Sequence, residues 1–199
     1  MNKKANKLLL YSGGLDSTAI LYGHKSKIKM CVFFDYGSKH NKTEYKYALK
    51  HCKNLDKKLI KIKIAMPFET ALTSNKISEK GENNKSTVVP FRNGIFLSYA
   101  VGLCEQYGLK SILIGTNNPP ETIYKDTTAS FIYWYEYMIN AGYEKKINIE
   151  NPLQGLSKKE TAELLYKYGK IKPHDTYSCY KGDKNPCGVC SACIKRNSL

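Results

Sequence analysis

The chain has 199 residues, 42% hydrophobic and 25% charged, enough for one globular domain with a sizeable core. No run approaches the roughly 20 apolar residues of a membrane helix. The basic start, Met1-Asn2-Lys3-Lys4, leads into a strand-like stretch and glycines with no cleavage-site pattern, so a cytoplasmic protein away from membranes is expected. The formal charge of +15 invites a nucleic-acid reading, but only Arg92 and Arg196 among 32 basic residues are arginines. Scattered lysines read as solvated surface, so nucleic acid is not the expected partner.

Lys7 to Tyr11 reads as a short buried strand ending in Ser12-Gly13-Gly14, followed by a helix from about Asp16 to His24. Lys29 to Phe34 is a second apolar run, ending at Asp35-Tyr36-Gly37. Lys42 to Leu55 has helical character, and Lys58 to Ile64 alternates like a strand. Thr73 to Thr87 is a polar break, long enough for a mobile loop or lid. Arg92 to Tyr107 is helical and Ser111 to Gly115 is another buried strand. An insertion, Asn117 to Thr128, carries Pro119-Pro120 and precedes the aromatic run Phe131 to Tyr135, read as core or dimer contact. A last helix runs from about Ser157 to Tyr168, with Ser157 and Glu160 as a capping box.

Short apolar strands alternating with helices predict an α/β fold: a Rossmann-like parallel sheet with helices on both faces. There are no internal repeats and no separate second domain. Residues 1–199 read as a single domain, with an α/β core over 1–170 and a four-cysteine segment over 171–199. Ligands in such sheets sit beyond the carboxyl ends of the strands, where Ser12-Gly13-Gly14, Asp35 and Gly115-Thr116-Asn117 fall.

The hexapeptide Ser12-Gly13-Gly14-Leu15-Asp16-Ser17 joins a strand to a helix. Two glycines let backbone N–H groups converge, Ser12 and Ser17 add hydroxyls, and the helix start adds positive potential. Together they make a cradle for phosphate or pyrophosphate. Asp16 would hold Mg²⁺ or orient the loop. The spacing fits neither GxxxxGK[ST] nor GxGxxG.

Of seven cysteines, Cys31, Cys52 and Cys104 are isolated in apolar or helical contexts and read as core. Cys179, Cys187, Cys190 and Cys193 cluster in a turn-rich segment with Pro186 and Gly188. Four thiolates suit a closed, structural, tetrahedral Zn²⁺ site, and an iron–sulfur cluster is the competing occupant.

The glycine loop looks like the SGG-x-DS signature of PP-loop ATP pyrophosphatases, of the adenine nucleotide alpha hydrolase-like fold, which cleave ATP between the α and β phosphates. With both motifs in order, the chain resembles the 7-cyano-7-deazaguanine (preQ0) synthase family almost end to end. The match takes in Tyr11 to Thr18, Asp35-Tyr36-Gly37 with His40 and Glu44, and Val89-Pro90-Phe91-Arg92-Asn93. It continues through Ile114-Gly115, Pro152-Leu153 with Ser157 to Glu160, and Thr176 to Tyr180 leading into the cysteines. The resemblance implies a ligase that adenylates 7-carboxy-7-deazaguanine with Mg-ATP, adds ammonia to give an amide, and dehydrates the amide with a second ATP. It implies ATP binding by Leu10, Tyr11, Ser12, Gly13, Gly14, Leu15, Asp16, Ser17, Thr18, Asp35, His40 and Gly115. Ser12, Asp16, Lys39 and Arg92 would act in catalysis, and Arg92, Asn93, Tyr124 and Asp126 would hold the substrate, Asp126 at its guanine-like edge. Family members commonly dimerise, which implies a homodimer.

The chain departs from the family where Tyr-Pro-Asp-Cys-Arg is usual: it has Tyr124-Lys125-Asp126-Thr127-Thr128. An enzyme that stops at the amide, or that joins a deazaguanine to tRNA or another macromolecule, therefore stays open. A tRNA-thiolating relative would need a reactive cysteine near the loop, and Cys31 lies inside a predicted strand. A zinc-stabilised nucleic-acid-binding module would lack a use for the intact glycine loop. His40, finally, has a plainer reading as the cap of the helix that follows it.

Overall fold

The computed structural model describes residues 5–77, 85–116, 122–142 and 145–199. Five parallel strands form one sheet: β1 (Lys7–Leu10), β2 (Ile28–Asp35), β3 (Lys58–Lys63), β4 (Ser111–Leu113) and β5 (Asn148–Glu150), in the order β3-β2-β1-β4-β5. The helices are α1 (Leu15–Gly23), α2 (Asn41–Asn54), α3 (Arg92–Tyr107), α4 (Ala129–Asn140), α5 (Lys158–Gly169) and α6 (Ser191–Asn197).

Strand alternation sends the side chains to two cores. Leu8, Met30, Val32, Phe34 and Ile112 pack against Leu97, Ala100 and Val101 of α3 and Ile132 and Tyr135 of α4. Leu9, Cys31, Phe33 and Leu113 pack on the opposite face against Ile20 and Leu21 of α1 and Ala48 and Cys52 of α2. Both faces are covered, which is why β1 and β2 read as continuous apolar runs. The expected Rossmann-like layering is the observed one.

Element ends differ from the sequence reading by a residue or two, and three elements were not expected from it. The aromatic run is part of α4, which divides it: Ile132 and Tyr135 are buried, while Tyr133 and Trp134 stand exposed. β5 and α6 are short and had no periodic signal. The capping box at α5 is present as expected, with the Ser157 side chain accepting from the Glu160 N–H and the Glu160 carboxylate accepting from the Ser157 N–H. Parts of the lid expected over 73–87 and of the insertion over 117–128, Asn117 and Pro119-Pro120 among them, lie outside the described residues.

The sheet order reverses between β1 and β4, which opens a crevice at their carboxyl ends. Gly115 closes tightly over the start of α1 there: a Cβ on it would stand 3.3 Å from the Ser17 nitrogen. Gly13, at φ +81°, leaves β1 so close to α2 that a Cβ would meet the Ala48 nitrogen and the Glu44 carbonyl oxygen, each at 2.8 Å. Both neighbours are backbone atoms and cannot swing away. Gly13→Ala is therefore expected to cost about 2 kcal/mol or more, seen as a lowered melting temperature. An unchanged melt would mean that the loop is not held against α2.

Candidate active site

The crevice is a cavity of about 380 Å³, within the range of small-molecule sites. Its first half is the glycine loop. Ser12 and Ser17 share a hydroxyl–hydroxyl bond of 3.1 Å, the Gly14 N–H donates to Ser12 Oγ at 3.2 Å, and Ser17 Oγ donates to the Gly14 carbonyl at 3.3 Å. The loop is thereby preshaped, with Gly14 leading directly into the N-terminus of α1. Thr18 and Tyr11 support it from below through a 3.3 Å hydroxyl contact, and burial holds the Tyr11 phenol above its ordinary pKa, so it stays neutral. One oxygen of Asp16 pairs with Lys158 of α5, while its buried Oδ1 has no partner among the described residues. An orphaned carboxylate oxygen beside a phosphate-type cradle suits a hard divalent cation. Leu10, Leu15, Ile114, Gly115 and Thr116 line the same crevice.

The second half is built by the loop after β2, the start of α2, the start of α3 and the C-terminal segment. Asn41 ties this loop down, its amide donating to the Phe34 carbonyl at 2.9 Å while its Oδ1 accepts from the Ser38 N–H at 3.1 Å. His40 stands at the N-cap of α2 but its side chain makes no cap bond, so the plain capping reading does not hold. It is buried in the cavity wall instead, with Nδ1 unpartnered and Nε2 3.8 Å from Glu44 Oε2. Burial, then the charge of Arg92, depresses the His40 pKa to about 4; burial raises that of Glu44 to about 8 against the pull of Arg92. Near neutrality both groups are uncharged in the free protein.

Arg92 donates from Nη1 to the Tyr36 hydroxyl at 3.0 Å. Its desolvation is outweighed by Tyr36, Asp126 and Glu44, which raise its pKa and keep it cationic. The residue before it, Phe91, takes a left-handed backbone (φ 51°) to turn the chain into α3, a strained start beside the cavity. Asp126 does not line the cavity: its Oδ2 accepts the Asn93 N–H at 2.7 Å, capping the opening turn of α3 from a separate segment. Tyr124 does line it and bonds the Thr87 hydroxyl at 2.6 Å. Asp35 and Lys39 also lie outside the lining. Asp35 pairs with Lys61 at 2.7 Å, and Lys39 Nζ reaches the Ser74 carbonyl at 3.4 Å.

The four clustered cysteines converge, with their sulfurs all within 4.8 Å of one another and Cys187 and Cys193 4.0 Å apart. Thiolates around a tetrahedral ion at a bond length of roughly 2.3 Å lie about 3.8 Å apart, so the set fits a bound metal. The Cys187 N–H points at Cys179 Sγ and the Cys190 N–H at Cys187 Sγ, each at 3.4 Å, as thiolate ligands favour. Burial raises the Cys187 thiol, but the Val189 and Cys190 N–H groups and the thiols of Cys179 and Cys190 outweigh it and bring it to about 7. This cluster folds the C-terminal segment onto the cavity. The Tyr177 N–H donates to the Gly13 carbonyl at 3.3 Å, the Thr43 hydroxyl to the Gly182 carbonyl at 2.6 Å, and Tyr180 joins the lining. Cys31, by contrast, is fully buried in β2, and its bond with Cys52 and its burial push the thiol far up. It is no sulfur-transfer nucleophile.

Sequence reasoning assigned no role to Glu44, Lys158 or Tyr180, all of which line the cavity. All three lie in the stretches that carry the family resemblance, and Glu44 has in addition its i, i+4 spacing from His40.

The model of the family described as "Queuosine biosynthesis protein QueC" matches residues 6–198. The 7-cyano-7-deazaguanine synthase of Porphyromonas gingivalis is 37% identical over 204 residues, covering 98% of this chain and 92% of that protein. Its counterpart from Leptospira interrogans is 39% identical over 210 residues, covering 98% and 85%. Among solved structures, an NMN synthetase from Francisella tularensis overlays with a TM-score of 0.48 at 16% identity, over 92% of this chain and 69% of that one.

The opposed pKa shifts of His40 and Glu44 have a consequence for stability. The folded pKa of Glu44 lies above its unfolded value near 4.5, so its contribution is full below that pH and is lost as pH rises through about 8. His40 acts in the other direction, costing stability as pH falls from 6.5 toward 4. Glu44→Gln removes only the first effect. Denaturant unfolding should show the variant gaining on the wild type by ~2–4 kcal/mol between pH 5 and pH 8. A pH-independent difference would mean that Glu44 is ionised throughout.

Proposed function

The chain belongs to the queuosine biosynthesis protein QueC family, and from that premise and the cavity's geometry we propose that it is a ligase converting 7-carboxy-7-deazaguanine and ammonia to 7-cyano-7-deazaguanine at the expense of ATP. The observation that carries this reading is a preshaped phosphate cradle, Ser12 to Ser17, opening into the same cavity as a half-buried arginine and an aromatic wall.

The chemistry asks for two activations of one carbon. A carboxylate oxygen is a poor leaving group; attack by that oxygen on the α-phosphorus of ATP expels pyrophosphate and gives an acyl-adenylate. Ammonia then displaces AMP and leaves the amide. The amide oxygen attacks a second ATP, and loss of AMP with the remaining N–H proton forms the nitrile. In this reading the N–H groups and hydroxyls of Ser12, Gly13, Gly14 and Ser17 receive the departing pyrophosphate, and Leu10, Tyr11, Leu15, Thr18 and Gly115 shape the nucleotide's seat. Asp16 would hold Mg²⁺ through its free oxygen, supplying charge neutralisation to the phosphates. Arg92, already cationic and desolvated, stabilises negative charge developing at the substrate. Lys39 would have to leave the Ser74 carbonyl to share that task, and Asp126 serves by fixing Arg92 and Asn93 at the start of α3.

Cys179, Cys187, Cys190 and Cys193 would hold a structural Zn²⁺ with no open position. What supports this choice over an iron–sulfur cluster is the tight packing of four sulfurs within 4.8 Å, sized for a single ion. Thiolate ligands and ATP both belong to a reducing cytoplasm. The core over 1–170 and the segment over 171–199 act as one domain in this reading. The exposed aromatics of α4, Tyr133, Trp134 and Tyr137, support a homodimer contact, and the lysine-rich surface serves solubility and not nucleic-acid binding.

Incubation of the purified chain with Mg-ATP, ammonium and 7-carboxy-7-deazaguanine should yield the nitrile by mass spectrometry, with two AMP and two pyrophosphate per product. Accumulation of the amide with one AMP would favour the shorter reaction, for which the altered Tyr124 to Thr128 segment is the specific reason. No consumption by folded, metal-loaded protein would overturn the substrate assignment.

A further inference from the structure

We propose that Glu44 is the acceptor that recognises the donor edge of the substrate's deazaguanine ring, its N1–H and 2-amino group, in the role that the family resemblance gives to Asp126. This rests on the substrate reading above and deepens it.

The ring presents two adjacent N–H donors on that edge, and a carboxylate accepts both side by side. Among the described residues, two side-chain carboxylates line the cavity, Asp16 and Glu44. Asp16 belongs to the glycine loop and is paired with Lys158. Asp126 is off the lining, with one oxygen spent on the Asn93 N–H. Glu44 has no hydrogen bond among the described residues. Its nearest polar neighbour, His40 Nε2, stands at 3.8 Å, beyond bonding distance, and the His40 side chain, 7% exposed, keeps a buried Nδ1 with no partner. A half-buried carboxyl without a hydrogen bond and a buried imidazole nitrogen, Nδ1, without one thus face the same cavity, and a ligand with donors would satisfy the carboxyl.

The walls fit a planar bicycle. Tyr36 and Phe96 meet with ring centroids 5.6 Å apart, and His40 and Tyr180 at 6.0 Å. Flat faces beside an edge acceptor are how extruded bases are read. Arg92 supplies donors for the substrate's carboxylate, which leaves Glu44 for the donor edge, so charge is complementary at both ends. In the free protein Glu44 is neutral at pH 7, with a pKa near 8, and donors favour its ionised form. Binding should therefore release a proton from Glu44 and tighten as pH rises from 6 to 8. The groups that face it are His40, at the cap of its own helix, and Arg92 from α3; these in turn stand beside Lys39, Tyr36 from the loop after β2, Asp126 from the 122–128 segment and Tyr180 from the C-terminal segment, which pairs with Tyr124.

The competing role for such a residue is proton transfer during ammonia addition or dehydration. Kinetics with 7-carboxy-7-deazaguanine and with its analogue lacking the 2-amino group separate the two. The metal-loaded wild type should show a KM at least ~10-fold higher for the analogue. Glu44→Gln should raise the KM for the parent substrate by ~10–100-fold and bring parent and analogue within about 3-fold of each other. Glu44→Asp, which keeps the carboxylate, should retain the preference, and serves if the glutamine variant melts early. A fall in kcat with KM and preference unchanged would overturn the proposal in favour of proton transfer. Failure of the wild type to consume the parent substrate would instead bring down the substrate reading, and this inference with it.

Discussion

The close approach of Gly13 to α2 is the constraint on which the rest of the site depends. The loop leaves β1 in a left-handed turn with no room for a side chain above the Ala48 nitrogen and the Glu44 carbonyl. Its own carbonyl accepts the Tyr177 N–H from the C-terminal segment. The glycine loop is thus gripped from two directions, by a helix that carries Glu44 with His40 at its cap and by the C-terminal segment that holds the four-cysteine cluster. Glycine-rich cradles work through the direction of their N–H groups, and that direction is only as firm as what the loop leans on. The cysteine cluster lies outside the chemistry but takes part in building both halves of the cavity.

Charge is managed unevenly across that cavity. At the loop, Asp16 is half neutralised by Lys158 and keeps one oxygen free. Across from it, Arg92 stays cationic beside Tyr36 and Asp126, while Glu44 and His40 are kept neutral by burial. A carboxyl that stays protonated in the free protein must give up its proton to a ligand that prefers its anion, which couples such binding to pH. An arginine that is already desolvated stabilises developing negative charge with little reorganisation. Both features suit a substrate with an acidic end and a donor-rich edge.

Much of this was legible from sequence because the signals were local. β1, β2 and β4 are short apolar runs ending in glycine or Asp-Tyr-Gly, and a doubly covered parallel sheet makes such runs continuous. The glycine loop and the four cysteines announce themselves by spacing. α4 was obscured because Tyr133, Trp134 and Tyr137 are exposed aromatics threaded through the buried positions Ile132, Tyr135 and Ile139, which hides the helical period. β5 carries one buried residue, Ile149, in three, too little for any periodic signal. The role of Glu44 was out of reach because it depends on burial beneath Arg92, which lies far along the chain. Asp126 shows what a motif leaves out. Its motif position pointed to a ligand, and the fold adds that its carboxylate accepts the Asn93 N–H at the start of the helix carrying Arg92.

If the cysteine cluster and the glycine loop form one mechanical unit, backbone hydrogen exchange on the metal-loaded chain and after chelation will show it, with metal analysis run alongside. One zinc per chain is expected in the loaded protein. On its removal, protection should be lost across residues 12–18 and 38–44 as well as 177–193, while β1, β2 and β4 stay protected. Exchange that changes only within the cysteine segment, leaving the glycine loop and the start of α2 as they were, would contradict it.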